Sequence, residues 1–598
     1  MSLASLLVAL ALGLASCADR PPAPPAAERV LPVDLLDNGD FAESAEGIED
    51  EEGRQPIPWW RSAAGRAQLV EDEGRPALRT GAGQWAEQPV AAYAPLVSGL
   101  VIEGQVSGAG RVVIVDGPGG RASFEFPGSG WRTLRIDGAS LSAQLGRAAV
   151  PRLVLRLEPL GEGAAHWRGL HVRVPLPCPD EAALRAEIHA CLRQVVEPWL
   201  ARGLDDFGPR KTGFLARIPD AESGEPTLSM QSASNAFWEQ LSSAAAILGE
   251  PRWAEAARRS DADLLALGLD ARTGLPHLWD ARRDVPIDTT AVEIAGTLDH
   301  LIDLAERGPE ELRAPARAAA LKMGETVLAK GVQPDDGIGA KYFPATGEVD
   351  PGVVALRRFD VPAQLARLTA LTHDERFLEA AGEALASFEF THVWQGTWWM
   401  IDSAFDDEFG HYAARAVTIA RAAPQDALFR NFALEGWRHY RPLWRDALRL
   451  GGNVAADQVR CWVLLAELAE LDAAAAEEIR PLLCAAVRSH VKGEQYGDGA
   501  WGDVTIFGFD PKPNLQVGDY PGAPQNLLHG LAALYRADLG LRTDEQRALY
   551  TAVLRSSMQA YLLPKGFLLG RTKQNGPNPA AGTLRMMLGL TKMLRALG

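Results

Sequence analysis

From Pro179 to the C-terminus the chain reads as helix after helix, and the connections between them alternate between long and short. About fourteen segments of helical period begin near Glu181, Ser229, Arg252, Asp288, Ala314, Asp360, Asp374, Gly410, Asp426, Asn453, Ala474, Ala523, Asp544 and Pro579. Long connections run over Arg202–Leu228, Leu269–Ile287, Gly331–Phe359, Phe390–Phe409, Lys492–Gly522 and Pro564–Asn578. Short ones fall at Gly249–Pro251, Gly308–Glu310, His373, Ala423–Gln425, Asp472 and Gly540–Thr543. Leu450–Asn453 is short where a long connection is due. Helices joined by tight turns lie antiparallel, so every second connection falls at the same end of the stack. The long loops therefore gather on one face and the tight turns on the other.

Composition separates the helices into two sets. Those that follow long loops, such as Ala523–Tyr535, Val454–Leu471 and Pro579–Leu590, are rich in Ala and Gly and poor in charge. Their partners, such as Pro251–Gly268 and Ala476–Gly493, carry more charge. An inner and an outer ring of helices should differ in this way. The expected architecture is an all-α (α/α) toroid of six or seven hairpins with a funnel at the long-loop face. A solenoid would show a fixed repeat period, and none is visible.

The remainder of the chain divides further. Residues 1–17, MSLASLLVALALGLASC, form an apolar run too short to span a bilayer, as suits a cleaved signal. The tetrapeptide Leu14-Ala15-Ser16-Cys17 resembles the lipobox of bacterial lipoproteins, although no Lys or Arg precedes the run. The resemblance implies acylation of Cys17 and an exported, lipid-anchored protein of the cell envelope, at the outer membrane or facing the periplasm. Residues 18–31 are Pro-rich and read as an extended tether.

Over residues 32–177 the pattern becomes period two. Leu100–Val106, Arg111–Asp116, Ala122–Phe126, Arg132–Asp137 and Arg152–Glu158 alternate apolar and polar residues between Gly, Pro and Asp. Such runs predict an antiparallel β-sandwich. Leu35–Phe41, Pro56–Trp60 and the closing Ala164–Val174 resemble galactose-binding-like jelly-roll carbohydrate-binding modules. Trp59, Trp60 and Trp85 could stack on sugar there, or fill a core. Residues 178–598 form the helical domain, with the boundary expected between Pro175 and Asp180.

The net charge of −17 argues against nucleic acid as a partner and leaves an acidic polymer to be met by local cations. Besides Cys17 only Cys178, Cys191, Cys461 and Cys484 are present, with no CxxC and no zinc spacing, so free buried thiols are expected ahead of a bridge. His277, Glu293 and His411 are possible metal ligands by type, but their spacing supports no site. No metal or cofactor is expected.

The densest polar and aromatic segment is Val393–Ala416, VWQGTWWMIDSAFDDEFGHYAARA. Asp406, Asp407 and Glu408 precede a helix, where acids suit the N-terminal dipole. His411 and Arg415 share a helix face, with Tyr412 adjacent. The whole arrangement is similar to the (α/α)-toroid polysaccharide lyases and glycoside hydrolases, whose sites lie in the funnel. A uronate lyase needs a group to neutralise the substrate carboxylate, a base for the C5 proton and an acid for the leaving oxygen. The resemblance implies an Asn/His/Tyr/Arg set, matched here by Asn235, His411, Tyr412 and Arg415. A hydrolase would instead pair Asp406 or Asp407 with Asp336.

Trp398, Trp399, Trp238 and Trp279 are the aromatic faces expected to meet polysaccharide, and Arg571 and Lys573 the local cations. Two other classes stay open. One is a surface glycan-binding lipoprotein without catalysis. The other is a terpene-cyclase-like toroid, whose DxDD or DDxxD spacing Asp406–His411 lacks.

The lipobox generates a direct expectation. Cys17→Ser should release the mature chain into the soluble fraction or block its processing. Unchanged membrane fractionation, with no palmitate label in parent or variant, would contradict it.

Overall fold

The computed structural model describes residues 29–42 and 57–62 in part, 67–91, 99–116, 120–146, 152–203, 208–217, 228–229, 235–350 save 281 and 334–336, 360–388, 417–438 in part, 466–480, 523–537, 543–562, 571–572, 576–577 and 579–598. The N-terminal strands are β1 (Val30–Asp34), β2 (Arg61–Ser62), β3 (Gln68–Asp72), β4 (Arg75–Thr80), β5 (Ala86–Ala91) and β6 (Val101–Ser107). After them come β7 (Gly110–Asp116), β8 (Arg121–Phe126), β9 (Arg132–Asp137), the short helix α1 (Gly138–Leu145), β10 (Arg152–Pro159) and β11 (Ala165–Pro177).

One sheet runs β3-β4-β11-β6-β9 with β1 also on β11, and the other runs β2-β5-β10-β7-β8. The alternating residues turn one face inward. Ile102, Val106, Leu134, Ile136, Trp167 and Val172 of the first sheet share a core with Val112, Ile114, Leu153, Leu155 and Leu157 of the second. The five period-two runs therefore fall on β6 to β10 within a residue of their expected bounds.

The sandwich tryptophans separate. Trp60 is a core residue, 5.4 Å from the Phe41 ring, and its indole N–H donates to the Asn38 carbonyl at 3.2 Å. Trp85 is half-buried beneath the Arg156 guanidinium, 4.6 Å from its ring centroid. Trp59 lies outside the described residues.

β11 ends at Pro177, and α2 (Glu181–Pro198) starts after Asp180, whose carboxylate accepts from the Ala183 N–H at 2.8 Å. Cys178 and Cys191 are free and buried, while Cys461 and Cys484 lie outside the described residues. Past α2 the described helices are α3 (Asn235–Leu248), α4 (Pro251–Leu267), α5 (Ala295–Arg307), α6 (Glu310–Lys330), α7 (Asp360–Thr372), α8 (Glu375–Phe388), α9 (Ala523–Arg536), α10 (Thr543–Tyr561) and α11 (Pro579–Ala596). Helical stretches at 417–422, 466–471 and 473–480 belong to the same body, since Ile419, Leu468 and Ile479 join its buried clusters.

The helices that follow long loops form the inner ring. α3 packs on α5, α5 on α7, α9 on α11, and α11 returns to α3. Each is backed by its hairpin partner: α3 by α4, α5 by α6, α7 by α8 and α9 by α10. α2 packs against α11.

Several contacts fix this closure. The Trp199 indole, fully buried at the end of α2, donates to Thr583 Oγ1 of α11 at 2.9 Å. Arg555 of α10 pairs with Glu187 at 2.7 Å, and Arg252 of α4 pairs with Glu197 at 2.7 Å, so α2 is held between its two outer neighbours. Met586, Leu590, Met593 and Leu594 bury α11 in the same apolar cluster as Leu184, Ile188 and Leu192 of α2.

Three helix starts differ from the sequence expectation, each for a local reason. Ser229 lies in a two-residue strand with Leu228, paired to Ala216–Arg217, so α3 begins only at Asn235. The region around Asp288 is spent on Val285–Ile287, which pairs with Leu278–Asp280, and on Val292–Glu293, which pairs with Lys341–Tyr342. α5 therefore begins at Ala295. α6 starts a turn before Ala314 because Glu310 and Glu311 extend it into the favourable N-terminal field.

Gly589 measures how closely the ring is drawn together. A Cβ there would sit 2.8 Å from the Leu528 Cβ and 3.0 Å from the His529 backbone nitrogen, both on α9. Alanine normally improves a helix interior by about 1 kcal/mol over glycine. Here the clash should win. Gly589→Ala is expected to lower stability by about 1–2 kcal/mol in urea denaturation, on the scale of core overpacking, whereas a gain would mean α9 and α11 are not in close contact.

Candidate functional site

The inner helices run from the long-loop mouth to the tight turns, which places their N-termini at the mouth. Asn235 opens α3 there and Trp238 lies on its first turn. Arg571 belongs to a two-residue strand paired with Gly576–Pro577 just ahead of α11. His411, Tyr412, Arg415, Asp406, Asp407, Asp336, Trp398, Trp399 and Lys573 lie outside the described residues, as does Cys17.

Trp279 is described, and it is a core residue. Only 5% of it is exposed, and its ring packs edge-on to Phe214 at 6.3 Å. Its strand, Leu278–Asp280, is the first half of the hairpin that replaces the expected helix start. The indole therefore points into the cluster beneath the loop, leaving little ring face for a sugar. His277 is buried too, with Nε2 bonded to the Leu267 carbonyl at 2.6 Å and Nδ1 3.5 Å from Asp288. Glu293 sits 3.8 Å from Lys341. Among the described residues no group of three or more His, Cys, Asp or Glu side chains could hold a metal ion.

A cavity of about 400 Å³ lies between α5, α7 and the helical stretches 417–422 and 466–471. α5 contributes Asp299 and Glu306, and α7 contributes Gln364 and Arg367. The stretch 417–422 adds Thr418 and Arg421, and the stretch 466–471 adds Glu467. Arg367 is gripped by Asp299, by Asp303 at 2.5 Å and by Glu306 at 3.5 Å. Burial works against the Arg367 charge, but these three carboxylates outweigh it and raise its pKa. Arg421 is matched by Glu470 at 3.0 Å and Glu467 at 3.7 Å.

Beside this cavity His529 of α9 and Lys592 of α11 meet at 3.1 Å. Burial, with the Lys592 charge adding to it, holds the His529 imidazole down to about 3. Burial also lowers Lys592, against the pull of Glu467. His529 is thus a neutral acceptor for the Lys592 ammonium. A second cavity of about 340 Å³ lies between α3, α4 and α5, where buried His300 bonds Asp261 at 2.7 Å. Sequence reading missed Gln364, Arg367, His529 and Lys592. The available signal was a polar or charged residue set among apolar ones, such as Arg367 within VPAQLARLTALT or His529 within APQNLLHGLAALY.

No protein-family model matches the chain, and neither does any curated protein sequence. Solved structures similar to it include the cellobiose 2-epimerase of Spirochaeta thermophila DSM 6192, at 13% identity over 70% of this chain and 98% of that one, with a TM-score of 0.42. A family 76 glycoside hydrolase from a bovine Bacteroides thetaiotaomicron strain is 9% identical over 82% of this chain and 98% of its own, with a TM-score of 0.36. A polysaccharide lyase is 13% identical over 69% and 97%, with a TM-score of 0.37. The ring described above rests on the packing of this chain's own helices.

The half-buried imidazole of His529 sets an acid limit. Its folded pKa lies below the ordinary 6.5, so the unfolded chain takes up the proton first. His529 therefore contributes stability above pH 6.5 that is lost as pH falls toward about 3, at no more than roughly 1.4 kcal/mol per pH unit. Urea denaturation across this window should show a shallower acid slope for His529→Gln than for the parent. Equal slopes would mean that the imidazole is solvated.

Proposed function

We propose that the chain is a carbohydrate-active enzyme acting on polysaccharide at the long-loop mouth of its ring, by β-elimination in a uronate-containing glycan. The observation that supports this most is the common direction of the inner helices. α3, α5, α7, α9 and α11 all present their N-termini to one mouth. Helix N-termini carry partial positive charge and free N–H groups, so their convergence favours an anion in a protein whose net charge is −17. A uronate carboxylate fits that field, and so does the extra negative charge it gathers when the C5 proton leaves.

In this reading Asn235 and Arg415 neutralise the carboxylate and His411 takes the C5 proton. The C4–O bond breaks as the C4–C5 double bond forms, and Tyr412 protonates the departing oxygen. Trp398, Trp399 and Trp238 offer ring faces to the sugar, and Arg571 and Lys573 draw in the acidic polymer. The lipobox at Cys17 and the Pro-rich stretch would hold the enzyme at the cell envelope, its partner there being the glycan.

The test is the ultraviolet absorbance of the unsaturated uronate, followed over acidic and neutral polysaccharides. His411→Ala should lower the rate by at least about a hundredfold, and Arg415→Lys should weaken an acidic substrate through loss of the bidentate grip. Asp407→Asn should leave elimination partly intact. Cleavage without new absorbance, abolished by Asp407→Asn, would replace the lyase with a hydrolase. Binding without cleavage of any polymer would leave only a glycan-binding role.

A further inference from the structure

Three helix ends and the entry to the sandwich meet at one point of the ring. β1 pairs with β11 from Val30 opposite Pro177 to Asp34 opposite Arg173. One residue earlier, the Arg29 carbonyl accepts from the Cys178 N–H at 2.8 Å, and the Arg29 guanidinium pairs with Asp544 at 2.8 Å. The Cys178 thiol donates to the Asp544 carbonyl at 3.5 Å. Arg547 pairs with Asp544 and lies 3.7 Å from Glu181, whose carboxylate accepts from the Tyr535 hydroxyl at 2.8 Å. An exposed ion pair such as Arg29 with Asp544 holds little by itself. The ladder beside it, and the burial of Leu176 and Cys178, fix Arg29 against α10.

That point lies at the tight-turn end. Tyr535 is in the last turn of α9, and Glu181 and Asp544 are in the first turns of α2 and α10. The mouth is the length of a helix away; α10 has 19 residues, which span about 28 Å. Eleven residues, Ala18–Glu28, separate Arg29 from Cys17. Any chain of that length reaches at most about 40 Å at full stretch. A lipid carried on Cys17 is therefore always within that radius of Arg29. With the tight-turn end toward the bilayer, the tether need not be drawn out. Turned over, the ring would hold Arg29 at least about 28 Å from the lipid, and the long connections would add to that distance. Few conformations of the tether reach so far.

We propose that the tight-turn end faces the lipid surface to which Cys17 anchors the chain, and that the mouth is held away from it. The glycan is then one that extends beyond the anchoring membrane, since a polymer fastened to lipid of the same leaflet would meet the tight turns first. This rests on the acylation of Cys17 proposed above and not on the reaction at the mouth. It also gives the sandwich a role that needs no sugar bound to it: the sandwich sets where on the ring the tether arrives.

Full-length protein acylated at Cys17, inserted in vesicles of phosphatidylethanolamine and phosphatidylglycerol with a headgroup-borne quencher, tests the mounting. One fluorophore is placed through p-azidophenylalanine at Glu375, an exposed residue that follows the tight turn at His373. A second protein carries it at Arg282, exposed on the hairpin between α4 and α5 at the mouth end. Over a helix length of about 28 Å, quenching at Glu375 should exceed that at Arg282 by at least about twofold. Equal quenching, or more at Arg282, would overturn the proposal while leaving the anchor intact. Cys17→Ser should abolish vesicle binding and quenching at both positions. A variant that stays bound, or a parent without lipid, would remove the anchor and the mounting with it. Lengthening the tether by about twenty Gly and Ser residues after Pro25, a further reach of roughly 25 Å on average, should shrink the contrast. An unchanged contrast would overturn the proposal, since the tether could then not be what orients the ring.

Discussion

Everything in the helical body depends on the ring being closed by helices that are far apart in sequence. α11 returns to α3, and the helix that backs it is α2, nearly four hundred residues earlier; the Trp199 to Thr583 hydrogen bond alone spans a separation of 384. A stack of helix hairpins without that contact would expose an apolar face at each end. Closure removes both faces. It also fixes the geometry of function, because a closed ring of hairpins must put every inner-helix N-terminus at one mouth and every C-terminus at the other.

The two ends consequently differ in electrostatics. The mouth collects positive helix ends. The tight-turn end collects negative helix ends, and the sequence places Arg367, Arg421, Lys592 and Arg595 in their last turns or close to them. Those cations are in turn held by Asp299, Asp303, Glu306, Glu467 and Glu470. The result is paired charge around a space, where an apolar plug would have closed it. The sandwich is fastened to the outside of this ring. β1 and β11 pack on α10, Arg29 pairs with Asp544 at 2.8 Å, and Leu176 and Cys178 join the same buried cluster as α2. A sandwich seated there also steadies the helix that closes the ring.

Much of this was legible in the sequence because it follows from period and spacing. Leu100–Val106 and Arg132–Asp137 alternate strictly, and each lies on a strand within a residue of the expected bounds. The contrast between Ala-rich and charged helices separated α9 and α11 from α4, and the alternation of long and short connections separated inner from outer for α3 to α8. What misled was chemistry at loop ends. The stretches around Ser229 and Asp288 carry polar residues that suit a helix cap, yet their backbones pair as short strands. Trp279 looked available for stacking because it sits in a polar loop, but a hairpin folds it onto Phe214. Gln364 and His529 escaped notice for the reverse reason: a polar residue set among apolar ones does not reveal, from period alone, whether it faces a neighbour or a cavity. The residues from Trp398 to Arg415 and the carboxylate Asp336 lie outside the described residues.

The central claim is that an anionic glycan is bound where the inner-helix N-termini converge. The most direct measurement is to locate a bound uronate oligosaccharide crystallographically in the His411→Ala protein, where turnover is suppressed. The sugar carboxylate should lie at the long-loop mouth, within hydrogen-bonding reach of Asn235 or Arg415. An oligosaccharide seated in the cavity beside Gln364 and Arg367, or on the sandwich alone, would contradict the claim.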